Sequence, residues 1–169
     1  MRPQANDYPA GFGNYINLVK EDDLQTAFNL QSGIMNDFLR SIPADKWDFK
    51  YAEGKWSVKE LVQHCIDAER VFGYRALCFA RKEQASLPSF EENAYAANSQ
   101  ADLRNPEDLI EEYLCVRKST EFLFRSFTED MLSTKGIANN NSMSVLSLGF
   151  TVIGHFIHHK NILVERYGI

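Results

Sequence analysis

The chain has 169 residues, 44% hydrophobic and 24% charged, with a net charge of −5 and an isoelectric point near 5.4. That length buries a core without disulfides or a structural metal, and one domain spanning 1–169 is expected. Lysine and arginine form no basic stripe on this acidic chain, which argues against nucleic acid as a partner.

The residues from Met1 to Asp7 lack the apolar stretch of a signal peptide, so a cytoplasmic protein is expected. Pro3, Pro9, Gly11 and Gly13, followed by Tyr15, Ile16, Leu18 and Val19, read as an irregular lead-in laid against the core. Leu24, Ala27, Phe28, Gln31, Ile34, Met35, Phe38 and Leu39 recur at steps of three and four, which predicts an amphipathic helix over 22–41, stopped before Pro43. Residues 46–55 hold Trp47, Phe49 and Tyr51, a connector aromatic enough to cover a bundle end. Ser57 with Glu60 is a capping box that starts a second helix at Val58. Its apolar stripe is Val58, Leu61, Cys65, Ala68, Phe72, Ala76 and Phe79, and it should end near Arg81 or Lys82.

Periodicity lapses over 84–105, a long loop of the kind that covers a site. Asn105, Pro106, Glu107 and Asp108 combine an N-cap, a first-turn proline and acids at the positive helix end, and so start a third helix. Residues 131–143, with Gly136 and three successive asparagines from Asn139, read as another loop. Ser142 or Ser144 caps a fourth helix that runs to about Tyr167, before Gly168. No segment reads as a strand. The fold class is all-α: a four-helix bundle with a long loop between helices 2 and 3, most simply up-down-up-down, with crossover connections open. The longest apolar run, 145–157, is too short and too interrupted to span a bilayer. Cys65, Cys78 and Cys115 lack CxxC spacing and are read as reduced packing residues.

The chain has four histidines: His64 in the second helix, and His155, His158 and His159 near the C-terminus. At about 100° per residue, His155 and His159 fall within about 20° of Leu148, on the stripe it marks with Val152, whereas His158 falls about 80° from Leu148 and is expected to be exposed. His64 lies about 60° from Leu61, at the edge of the second helix's apolar face. Buried without partners, such rings would each cost about 1–3 kcal/mol. Around one divalent ion they satisfy each other, and three neutral imidazoles leave a coordination position open, as in catalytic rather than structural zinc sites. Cys65 is about 100° from His64 and is excluded as a ligand.

The run Trp56-Ser57-Val58-Lys59-Glu60, then His64, Asp67 and Glu69, followed by Gly154-His155 and His158-His159, resembles the DinB-like (DinB/YfiT) superfamily of metal-binding four-helix proteins. The likeness covers nearly the whole chain. It implies that His64, His155 and His159 hold one divalent transition metal, with zinc, nickel and iron all suited to imidazole ligands. It also implies an enzyme acting on a small molecule. Thiol-dependent S-transfer, with a cosubstrate of the bacillithiol or mycothiol kind, stands first, and metal-dependent hydrolysis second. A stress-associated metal-binding dimer without chemistry is the non-enzymatic alternative. The superfamily has no universal substrate-side signature, so the reaction does not follow from the match.

Glu60 and Asp67 lie about one turn either side of His64 and are candidates to orient its ring, while Arg75 on the same flank is a candidate receiver for an anionic substrate. Tyr113 and Arg117 are candidate pocket residues of the third helix. Leu146, Phe150, Ile153, Ile157 and Val164 form a second apolar flank on the fourth helix, on which a homodimer is expected, as the resemblance also implies.

Overall fold

The four long helices start at their capping residues. In the computed structural model, which describes residues 1–169, the elements are α1 (Gly13–Ile16), α2 (Leu24–Ser41), α3 (Val58–Ala80), α4 (Glu92–Asn98), α5 (Pro106–Arg125), α6 (Glu129–Ser133), β1 (Lys135–Ala138), β2 (Asn141–Ser144) and α7 (Val145–Ile162). A π-helical turn, Leu163–Tyr167, extends α7 to Gly168, which takes the left-handed conformation at φ 68°. The side chains of Asp23, Ser57, Asn105 and Ser144 accept hydrogen bonds from the free backbone amides of the four long helices' first turns. Glu60 completes the capping box by accepting from the Ser57 amide at 2.7 Å.

The bundle is all-α in character, and its helix order corrects the simplest expectation. α3 packs on α5 and α7, whereas α2 packs on α5 and α7 and is not a neighbour of α3. The order around the bundle is therefore α2, α5, α3, α7, and the segment from Ile42 to Ser57 crosses one end. This segment can do so because Trp47 buries there and its other aromatics pack on the C-terminal turn. Trp47 is 3% exposed, and Phe49 and Tyr51 stand edge-on to Tyr167.

Three stretches expected to be irregular contain structure. The lead-in forms α1, the 84–105 loop contains α4, and the loop after α5 holds α6 and an antiparallel hairpin pairing Lys135 with Ser144 and Ala138 with Asn141. Asn139 and Asn140 turn the hairpin at φ 50° and 58°, a two-residue turn that needs positive φ at both positions. Gly136 lies flat on the Phe79 ring, where a Cβ would come within 2.0 Å, and Leu87 adds a short parallel bridge to Ala138.

Every residue of α7 from Val145 to Phe156 is buried. The lead-in covers one side: a Cβ on Gly154 would lie 2.1 Å from the Tyr15 carbonyl oxygen, and Ser147 donates to the Asp7 carbonyl at 3.1 Å. Leu146, Phe150 and Ile153 are therefore covered by their own chain, and of the flank on which a homodimer was expected Val164 is exposed and Ile157 half-buried.

Arg117 is 1% exposed and forms a two-pronged ion pair with Glu69 between α5 and α3, at 2.9 and 2.8 Å. It also donates to the Tyr113 hydroxyl, which in turn donates to the Met35 sulfur. Burial alone would lower the Arg117 pKa; the Glu69 carboxylate overrides it and holds the guanidinium charged.

Three single variants and one double variant have expected outcomes in urea denaturation. Gly154→Ala lowers stability by about 1–3 kcal/mol because backbone cannot yield, whereas Gly33→Ala, with nothing within 4 Å in α2, raises it by about 0.5–1 kcal/mol. Arg117→Met costs about 3–5 kcal/mol by stranding Glu69, and adding Glu69→Leu recovers most of the loss.

Candidate metal centre

α3 and α7, the most closely packed helix pair, carry the three inward histidines to one point. His64 and His155 are 4% and 6% exposed, and His159 is half-buried. The Nε2 atom of His155 lies 3.1 Å from Nε2 of His64 and 3.2 Å from Nε2 of His159. A neutral imidazole nitrogen has one lone pair or one proton, so His155 Nε2 satisfies one of these neighbours by hydrogen bonding and not both. A shared cation satisfies all three. Two nitrogens about 2.0–2.1 Å from one zinc ion are separated by about 2.8–3.4 Å for angles between a right angle and the tetrahedral one, which brackets the two separations from His155. The donor set therefore fits one divalent ion.

Electrostatics favours the protonation state that ligation needs. Burial pushes the His64 pKa down to about 4. His155 and His159 are held well below the ordinary histidine range, first by burial and then by the neighbouring rings. All three are neutral at pH 7, with lone pairs free for a metal. The outer nitrogen of His159, Nδ1, is buried without a partner.

Trp56 packs on the His64 ring at 4.9 Å, and Tyr15 stands edge-on to His155 at 5.3 Å. A cavity of about 180 Å³ opens beside His64 and His155, bounded by Phe12, Tyr15 and Phe72 on one side and by the hairpin residues Asn139, Asn141 and Met143 on the other. Arg75 lines it too, anchored by a 2.9 Å hydrogen bond to the Pro88 carbonyl and flanked by the Phe72 and Phe90 rings. Glu92, the first residue of α4, is the one carboxylate in its lining. Burial, and after it the Glu92 charge, raises the Tyr15 pKa, so its hydroxyl remains a donor.

The other sequence candidates go elsewhere. Glu60 caps its own helix and pairs with Lys50 at 2.8 Å; Asp67 accepts from Gln63 at 2.9 Å and faces Arg70. Neither touches His64. Tyr113 and Arg117 sit in the core rather than in the cavity wall. Cys65 is fully buried and its thiol is pushed up by burial, consistent with a packing role; none of the three cysteines is paired. His158 is half-buried rather than exposed, edge-on to Tyr15 at 5.3 Å, because the lead-in covers the arc of α7 that Ser147 and Thr151 mark as polar. Its pKa is lowered, chiefly by burial.

The family model described as the DinB superfamily matches residues 27–163. The chain belongs to the DinB superfamily. Its fold is similar to that of YfiT from Bacillus subtilis, described as a probable metal-dependent hydrolase with an unusual four-helix bundle topology, at a TM-score of 0.73 and 14% identity, covering 99% of this chain and 94% of YfiT. It is also similar to the mycothiol-dependent maleylpyruvate isomerase, at a TM-score of 0.66 and 14% identity, covering 85% of this chain and 61% of the isomerase. This DinB-superfamily chain therefore spans less than two thirds of the isomerase. No curated protein matches it by sequence.

Sequence reasoning missed Tyr15, the hairpin and α4 as parts of the site. The signal for Tyr15 was Gly154 beside the ligand stripe, where a small residue in a helix marks close backbone approach.

The lowered histidine pKa values set a pH dependence for the metal-free protein. Unfolding lets each ring take up a proton near its ordinary value of about 6.5, so the unfolded state binds more protons and stability falls as pH drops from about 6.5 toward 4. Urea midpoints of metal-free protein should fall over that window, and His64→Gln should reduce the slope.

Proposed function

We propose that residues 1–169 form one domain whose His64, His155 and His159 hold a single divalent transition metal, zinc, nickel or iron, in an enzyme acting on a small molecule. The observation that carries this reading is the convergence of three neutral histidine rings on one point, two of which, His64 and His155, line a cavity whose wall presents Arg75. When bound, such an ion supplies Lewis acidity, lowering the pKa of a water or thiol so that a nucleophile exists near neutral pH.

The chain's own residues do the rest. Arg75, fixed by the Pro88 carbonyl, binds the carboxylate or other anionic group of the substrate and sets its distance from the histidines. Phe12, Phe72 and Phe90 exclude water around it, and the Tyr15 hydroxyl and the Asn139 and Asn141 amides offer hydrogen bonds. We take thiol-dependent S-transfer to an electrophile as the reaction, with support from the mycothiol dependence of the structurally similar isomerase. Hydrolysis is the second reading. It is favoured by Glu92, a carboxylate placed in the cavity where a base for water would be needed, and by the description of YfiT.

Elemental analysis of untagged protein tests the site. About one divalent ion per chain is expected, lost in His64→Ala and in His159→Ala, with thiol-dependent turnover lost alongside it. Turnover that survives removal of the metal, or no uptake after reconstitution with zinc and nickel, overturns the reading.

A further inference from the structure

A second cavity, of about 230 Å³, reaches the histidine cluster by a different ring. His64 and His155 line the first cavity, whereas His159 lines the second, together with Tyr51, Lys55, Trp56, Asn93 and Arg166. Consecutive residues of α4 divide the two, Glu92 facing the first and Asn93 the second. Their charges differ as well. The first cavity pairs one cation, Arg75, with one carboxylate, Glu92; the second has two cations and no carboxylate in its lining.

That composition is unusual on a chain with a net charge of −5. Lys50, nearby in the same connector, is neutralised by Glu60 at 2.8 Å, but Lys55 and Arg166 have no carboxylate within salt-bridge distance. Arg166 is instead aimed by a 3.2 Å hydrogen bond to the Tyr51 hydroxyl, and its guanidinium lies over the Tyr51 ring. Two unneutralised cations, one of them a planar fork, beside aromatic walls suit a ligand with an anionic end and a short apolar stem.

We infer that the second cavity seats an anionic low-molecular-weight thiol: Lys55 and Arg166 receive its anionic group, Tyr51 and Trp56 flank its stem, and its sulfur points toward the histidine cluster at His159. The electrophilic substrate then occupies the Arg75 cavity, so the two reactants approach by separate routes and do not compete for one pocket. The inference rests on the metal reading above and adds to it which wall selects the thiol.

Cobalt(II)-loaded protein separates the two. Visible ligand-field bands report the ion, and a near-ultraviolet sulfur-to-cobalt band reports thiol binding, read in titrations with 2-mercaptoethanesulfonate (anionic) and 2-mercaptoethanol (neutral). The wild type should bind the anionic thiol about tenfold more tightly at low salt, and added salt should shrink the difference. Lys55→Ala/Arg166→Ala, both exposed positions, should abolish that preference and leave binding of the neutral thiol unchanged. A preference that survives the double variant, or that disappears in Arg75→Ala instead, overturns the inference while leaving the metal centre standing. Protein that shows no ligand-field bands before any thiol is added overturns both.

Discussion

Three imidazole nitrogens crowd a point that no arrangement of protons satisfies, and the rest of the molecule is built to hold them there. Burial keeps each ring neutral, which removes the repulsion charged rings would suffer but leaves lone pairs facing one another. Tight packing of α3 on α7 fixes two of the three contacts, and the one-turn spacing of His155 and His159 fixes the third. The crossover order of the bundle follows the same need. By placing α2 opposite α3, it leaves α3 free to contact both α7, which shares the histidines, and α5, which anchors it through the buried Arg117–Glu69 pair.

Around that rigid centre the walls come from the connections. The lead-in contributes Tyr15, the α2–α3 connector Tyr51 and Lys55, the α3–α5 segment Phe90, Glu92 and Asn93, and the hairpin Asn139 and Asn141. Placing the histidines on helices and the cavity walls on connections is an economical division, because loop changes alter the walls without moving the histidines. The hairpin is no loose flap, since Gly136 is pressed on Phe79 and Leu87 bridges to Ala138.

The four long helices were legible because local signals agree with tertiary packing: caps at Ser57, Asn105 and Ser144, and apolar faces of the right period. His64, His155 and His159 were legible as a group for the same reason, since a helical period assigns direction as well as existence. What escaped depends on contacts distant in sequence. The strands are only four residues each, and their turn uses Asn139-Asn140 rather than the familiar glycine-containing pair. Glu60 and Asp67 sit at the right helical angle to meet His64, but angle does not say which of several partners a flexible carboxylate chooses; Lys50 and Gln63 were nearer in space. The exposure expected for His158 failed because the lead-in, formless in sequence, lies over its arc of α7.

The contact between Trp56 and His64 gives the centre a built-in optical reporter. The chain has two tryptophans: Trp56 lies tilted against the His64 ring at 4.9 Å, whereas Trp47 is buried in the connector across the bundle end. A paramagnetic ion held by His64 would quench the indole of Trp56, which touches that ring, so intrinsic fluorescence would report the ion. Occupancy of the proposed centre would then be followed in solution without a label.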